Sequence, residues 1–173
     1  SEAIEALEIA KKYSSLKVIN DISSRMINNI MFLAEGTQAP DIELIGYTSQ
    51  PVRLSDFKNK YIYLSFFKTT YIPSQQEFPL LKNLYNKYKD DIVFISIFCD
   101  KDTSMMKNYI STYNPSWLTI HYSNTDEDII EKYDIHSFPS FVLIGKDNKI
   151  INKYAPFPSQ GIEKVFQKIL NNR

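Results

Sequence analysis

The 173-residue chain holds one cysteine, Cys99. A lone thiol closes no intramolecular bridge, so a disulfide framework is excluded and cysteine usage does not set the compartment. Glycine is scarce, at 4 residues, beside 8 prolines, which argues against disorder and low complexity. No excess of either charge exists: 20 basic and 20 acidic residues give a formal net charge of +0, and nothing electrostatic points to nucleic acid or an anionic membrane. No apolar run reaches membrane-spanning length. The chain opens Ser1-Glu2-Ala3 with no basic stretch leading into an apolar one, so no signal peptide is read there, as would also hold for a trimmed form.

What is present is ample apolar material. A hydrophobic content of 43% over this length suffices for one domain with a sizeable core. Residues 1–35 read as helical, with a weak face begun by Ile4, Leu7 and Lys11. A stronger face runs Ile19, Ile22, Met26, Ile30, Leu33, and Gly36 is the expected C-cap. This stretch is either one or two helices packed on the domain or the remnant of a longer N-terminal region.

Beyond Gly36 strands and helices alternate. Short strands are expected at Ile42–Ile45 and Val52–Leu54 around a turn at Tyr47–Gln50, then a helical turn at Ser55-Asp56-Phe57. The near-continuous apolar runs Tyr61–Phe67 and Val93–Phe98 read as buried central strands. Ser74–Lys89 reads as a helix facing inward through Phe78, Leu81, Leu84, Tyr85 and Tyr88. Asp102 or Thr103 caps a helix that Asn114-Pro115 ends near Tyr113. A short helix is expected at Asp126–Tyr133, and a hairpin pairs Phe141–Ile144 with Ile150–Tyr154. The last helix spans Gly161–Leu170, with Ile162, Val165, Phe166 and Ile169 inward. This order implies an α/β layer structure whose reactive ground lies beyond the carboxyl ends of the central strands, at Lys68–Ser74 and Cys99–Lys101.

Four segments, in order, carry a resemblance. They are Gly36-Thr37-Gln38-Ala39-Pro40-Asp41-Ile42-Glu43-Leu44, Leu54-Ser55-Asp56-Phe57-Lys58-Asn59-Lys60-Tyr61, the block from Phe66 through Tyr71-Ile72-Pro73-Ser74 to Glu77-Phe78-Pro79, and Tyr133-Asp134-Ile135-His136-Ser137-Phe138-Pro139-Ser140. Together they resemble the thioredoxin-superfamily branch that holds the alkyl-hydroperoxide-reductase/thiol-specific-antioxidant domains and the membrane-anchored thioredoxins of cytochrome maturation (ResA and TlpA type). The resemblance spans about residues 36–170. It implies a thioredoxin-like fold, a central mixed sheet flanked by helices, for residues 36–173, with residues 1–35 as an N-terminal helical extension. It also implies a cis peptide bond before Pro139, a kink at Pro79, and a bacterial cell-envelope or periplasmic location, with a membrane anchor in a full-length form.

The departure is sharper than the likeness. Where the family carries its C-x-x-C, this chain reads Tyr71-Ile72-Pro73-Ser74. Thiol–disulfide exchange needs a thiolate to attack sulfur and a second thiol to resolve the mixed disulfide. A phenol titrates near ~10 and forms no such bond; a serine hydroxyl is a poor nucleophile without an adjacent base. Ser74 also falls where the peroxide-reducing relatives place their attacking cysteine.

Other candidates are weighed against plainer roles. Cys99 ends the strand from Val93, sharing a face with Val93, Ile95 and Ile97. It is a displaced redox thiol or, the favoured reading, a buried small hydrophobe. Glu77 is an active-site neighbour by resemblance, or a carboxylate favoured by the helix N-terminus. Tyr71, Ile72, Pro73, Ser74, Glu77, Phe138 and Pro139 outline a binding groove for a peptide or protein partner, or else Tyr71 and Phe138 merely fill the vacated space. His121 and His136, the only histidines, belong to no metal-ligand spacing, and neither metal nor cofactor is expected. His136 is expected to be exposed and solvated, and Trp117 to be a core or half-buried anchor. No Ser–His–acid triad is credible around Ser74. The expectation is a redox-inactive binding or scaffolding module; the alternative is a one-cysteine oxidoreductase acting through Cys99. A third reading makes it one domain of a larger envelope protein whose remainder carries the activity.

Overall fold

The computed structural model describes residues 1–44, 51–122 and 129–171. The turn at Tyr47–Gln50, the end of the first expected strand and residues 126–128 of the expected short helix lie outside these. The chain begins with two helices, α1 (Glu2–Tyr13) and α2 (Lys17–Phe32). Glu2 and Glu5 in the first turn of α1 and Lys11 and Lys12 in its last match the helix dipole. Ser14 then turns extended and its Oγ accepts from Leu16 N at 3.1 Å, the local alternative to helix that serine offers. The Gly36 cap is corrected: α2 ends at Phe32 with Leu33 as its cap. Gly36, at φ +84°, makes a later turn that aims its N–H at Ile150 O, 2.8 Å away.

A small ladder, β1 (Glu43–Leu44) against β2 (Val52–Arg53), leads into a 3-10 turn at Leu54–Phe57. Asp41 fastens this corner, its carboxylate accepting from Arg53 Nε at 2.7 Å and Ser55 N at 3.0 Å. The main sheet has the order β5-β4-β3-β6-β7, formed by Leu118–His121, Ile92–Phe98, Tyr61–Phe67, Ser140–Ile144 and Ile150–Asn152. β4 and β5 run parallel to the central β3, β6 pairs antiparallel with β3, and β7 pairs antiparallel with β6. Crossing segments supply α3 (Ile72–Tyr88), α4 (Thr103–Tyr113), α5 (Ile129–Lys132) and α6 (Ile162–Asn171).

Strand β5 is absent from the sequence reading. It is four residues long, partly exposed and at the sheet edge, so it shows neither the apolar run of a central strand nor a turn to announce it. Asp102 does cap α4, accepting from Ser104 N at 2.8 Å, and Asn114 ends it in the left-handed region at φ 42°.

Alternation along β3 builds a core on each face of the sheet. Ile62, Leu64 and Phe66 join Ile95, Ile97 and Cys99 on one side; Tyr63 and Phe67 join Phe94, Phe98, Phe141 and Phe166 on the other. The second face is dominated by aromatics. Phe78 of α3 packs its ring 5.3 Å from Phe67, 5.4 Å from Phe98, 5.1 Å from Tyr109 and 5.4 Å from Trp117. Trp117 is a buried anchor whose indole Nε1 donates to Ser96 Oγ at 2.9 Å, and Ser96 Oγ lies 2.9 Å from Ser65 Oγ. That chain of partners removes the cost of burying three polar groups in the apolar layer.

Candidate functional site at the ends of the central strands

Two loops meet beyond the carboxyl ends of β3 and β4. The β3–α3 loop carries Lys68 to Tyr71; the β4–α4 loop carries Cys99 to Lys101. Asp100 joins them. Its buried carboxylate accepts from Thr69 N at 2.9 and 3.0 Å and from Thr69 Oγ1 at 2.9 Å. Its carbonyl lies 2.7 Å from His121 Nε2, so β5 is tied in as well. Gln75 closes the loop from the other end, Nε2 donating to Thr69 O at 2.8 Å.

Tyr71 is the N-cap residue of α3 and Ser74 lies in its first turn, which is where the resemblance places them. Their side chains part company. Ser74 is 1% exposed, with Oγ accepting from Lys68 N at 3.3 Å. It is turned into the protein and shows no base that would make it a nucleophile among the bonds it forms. Tyr71 is 47% exposed and Ile72 67%. Across from them the Phe138–Pro139 peptide bond is cis, and the Tyr71 and Phe138 rings stand 6.2 Å apart, edge to face. The Lys68 ammonium lies 4.6 Å from the Phe138 ring centre and 5.6 Å from that of Tyr71, a cation held against two aromatic faces.

The expected groove is therefore divided. Tyr71, Ile72 and Pro73 are exposed, and Phe138 and Lys68 beside them are half-buried, over a buried Pro139. Ser74 and Glu77 are buried. Glu77 is 6% exposed and reaches across to residues 158–160, a 3-10 turn before α6. Its Oε2 accepts from Ser159 N at 3.0 Å and its Oε1 from Ser159 Oγ. The reading of Glu77 as a carboxylate favoured by its own helix N-terminus is corrected: it fastens another element. Lys68 was missed, and its neighbours in sequence gave a signal, since a lysine between an apolar strand and an aromatic loop has a stem to bury and a charge to place.

Cys99 sits below this surface. Its side chain is 9% exposed and belongs to the core face that carries Ile95 and Ile97, as alternation along β4 indicated. Burial, and then the neighbouring Asp100 carboxylate, push the thiol up to about 12, with Lys68 only partly opposing them. At neutral pH the thiolate, the only form that attacks sulfur, is therefore scarcely populated.

Beside the cis bond opens a cavity of about 290 Å³ bounded by Asp134, His136, Pro139, Phe141, Lys153 and Phe157. Asp134 organises its polar end. One oxygen accepts from Asn29 Nδ2 of α2 at 3.1 Å and lies 2.7 Å from His136 Nε2, while the other pairs with Lys153 Nζ at 2.6 Å. Burial raises the Asp134 pKa, but the Lys153 and His136 contacts outweigh it and hold the carboxyl below its ordinary value. His136 is exposed, as expected, yet it is held by Asp134 rather than only solvated. Among the described residues no three of His, Cys, Asp and Glu come together as metal ligands, and no helix is long and apolar enough to cross a membrane.

A parallel–antiparallel sheet with a cis-proline loop facing the first turn of a long helix defines a thioredoxin-type scaffold, here with no sulfur at that turn. The chain belongs to the thioredoxin-like family, whose model matches residues 59–150. It is similar to the thiol-disulfide oxidoreductase ResA of Bacillus subtilis, at 25% identity over 69% of this chain and 66% of that protein. The ResA of Bacillus thuringiensis subsp. konkukian is 29% identical over 78% of each. Among solved structures, one described as a candidate thiol-disulfide oxidoreductase of Bacteroides vulgatus is 31% identical. It superposes with a TM-score of 0.70 over 79% of this chain and 97% of its own. The thioredoxin domain of a thiol-disulfide oxidoreductase from the same species gives 27% identity and the same TM-score over 79% and 98%.

Proposed function

We propose that the protein is a redox-inactive thioredoxin-like module that binds a peptide or protein partner on the surface formed by Tyr71, Ile72, Pro73 and Phe138. One observation carries this reading: the turn where relatives of this kind exchange disulfides offers a phenol and a buried hydroxyl, while the only thiol is sealed beneath it. Oxygen side chains form no reversible covalent pair, so what such a surface retains is its shape, its aromatic area and the Lys68 charge. The reading includes residues 1–35 as a helical extension, residues 36–173 as the thioredoxin-like unit, and a cell-envelope location, supported by the likeness to ResA-type proteins. The alternative, oxidoreductase chemistry through Cys99, has the burial and raised pKa of that thiol against it.

Two measurements test the proposal. The protein, supplied with dithiothreitol, is expected to reduce insulin or glutathione disulfide no faster than dithiothreitol alone at any pH; turnover above that rate that survives Cys99→Ala would sink it. A displayed peptide library selected on the wild-type surface is expected to yield extended binders that Tyr71→Ala and Phe138→Ala each weaken. Binders indifferent to both substitutions would place recognition elsewhere.

A further inference from the structure

The N-terminal helices carry an anomaly unrelated to the former redox site. Of the fourteen large apolar side chains exposed among the described residues, nine fall in the first 32 positions: Ile9, Tyr13, Leu16, Val18, Ile19, Ile22, Met26, Met31 and Phe32. The stripe that sequence periodicity marks as the strongest in α2 is split. Its end, Leu33, is buried at 3%, but Ile19, Ile22 and Met26 stay 38%, 42% and 48% exposed. α2 turns a different side inward, through Ser23 and Ile27. At helical spacing Val18, Ile19, Ile22 and Met26 fall within about 100° of arc, the width of a packing face. Contiguous apolar surface of this kind on a folded protein marks a contact.

Charge selects the occupant. On one side of the stripe stand Asp21 and Arg25, opposite in sign and four residues apart. No ion pair to Asp21 or Arg25 occurs among the described residues. A lipid surface would want a basic border, which this is not. A second α2 laid antiparallel across a two-fold axis near position 23 sets Asp21 of each copy against Arg25 of the other. It also brings Ile19 of each onto Met26 of the other, with the two Ile22 side chains central between them. A parallel pair would instead turn this border toward the other side of the partner's stripe, where Ser23 and Ile27 lie, and leave Asp21 and Arg25 unmatched.

We propose that two copies of this chain associate through antiparallel α2 helices, with Val18, Ile19, Ile22 and Met26 as the buried seam and reciprocal Asp21–Arg25 pairs fixing direction. The contact uses none of the residues of the Tyr71–Phe138 surface, so its failure would not touch the function proposed above.

Sedimentation equilibrium of the full chain, from low micromolar to several hundred micromolar, tests it. The wild type is expected to populate a dimer in the upper range, and Ile22→Asp to remain monomeric throughout. Asp21→Arg is expected to weaken dimerisation about tenfold, because two attractive pairs become repulsive. Adding Arg25→Asp to that variant is expected to restore it. Circular dichroism and thermal melts establish that each variant folds. The charge-exchange pair keeps the test decisive if Ile22→Asp does not fold. A wild-type chain that stays monomeric across the range, or a double exchange that fails to recover dimer, overturns the proposal. So does a monomer that instead sediments with phosphatidylglycerol vesicles.

Discussion

The two loops at the ends of β3 and β4 are neighbours with opposite faults. The β3–α3 loop has the exposed position and lacks sulfur; the β4–α4 loop has the sulfur and lacks exposure. Reactivity of the thioredoxin kind needs both at one place, together with a setting that lowers the thiol pKa. Here the helix N-terminus that supplies such a setting faces Tyr71, and the thiol stands in a pocket that raises its pKa instead. Position and chemistry have been separated, and what each loop does alone can be measured.

The strongest way to break the contrast is to put sulfur back. Tyr71→Cys with Ser74→Cys is expected to create a dithiol that closes reversibly and reduces insulin, taking activity from none to readily measured. A double variant that folds but never forms the bridge would show that the loop geometry has drifted as well as its residues. Next in size is the clamp between the loops. Asp100→Ala strands the buried Thr69 N–H and hydroxyl and is expected to lower unfolding free energy by about 1–3 kcal/mol in urea titration.

Cys99 offers a pH test. Its folded pKa lies above its unfolded value, so it contributes stability below pH ~9 that is lost as pH rises toward about 12. Between pH 9 and 10 the wild type is expected to lose roughly 1 kcal/mol more than Cys99→Ala, read from paired urea titrations at each pH. A thiol reagent is expected to label Cys99 slowly in the folded protein and at once in denaturant; fast labelling of the native form would reverse the comparison. The smallest effect belongs to Tyr71→Ala. This exposed ring should change stability by about 0.5 kcal/mol or less while weakening any peptide that binds the surface.

How much of this could be read beforehand depends on distance along the chain. Tyr71 and Ser74 were legible as replacements because the residues that frame them are adjacent in sequence. The inward face of Cys99 followed from the two-residue period of its strand. Glu77 was misjudged because its partner, Ser159, stands 82 positions away and meets it only once α6 has folded back. Strand β5 was missed because four residues, three of them half-exposed, carry too little pattern. The period marked Ile19, Ile22 and Met26 as the face of α2, yet α2 buries Ser23 and Ile27 and leaves those three exposed, because period says where an apolar stripe lies and not what covers it.

The three bonds from Asp100 to Thr69 have one more consequence. They are made by the backbone and hydroxyl of a residue outside the four-residue motif, so the bend that precedes α3 is braced from the adjoining strand. The side chain of Tyr71 is a passenger on a curve that others, the Ser74 hydroxyl among them, hold. What stands at position 71 can therefore be exchanged for new recognition chemistry without first rebuilding the ground beneath it.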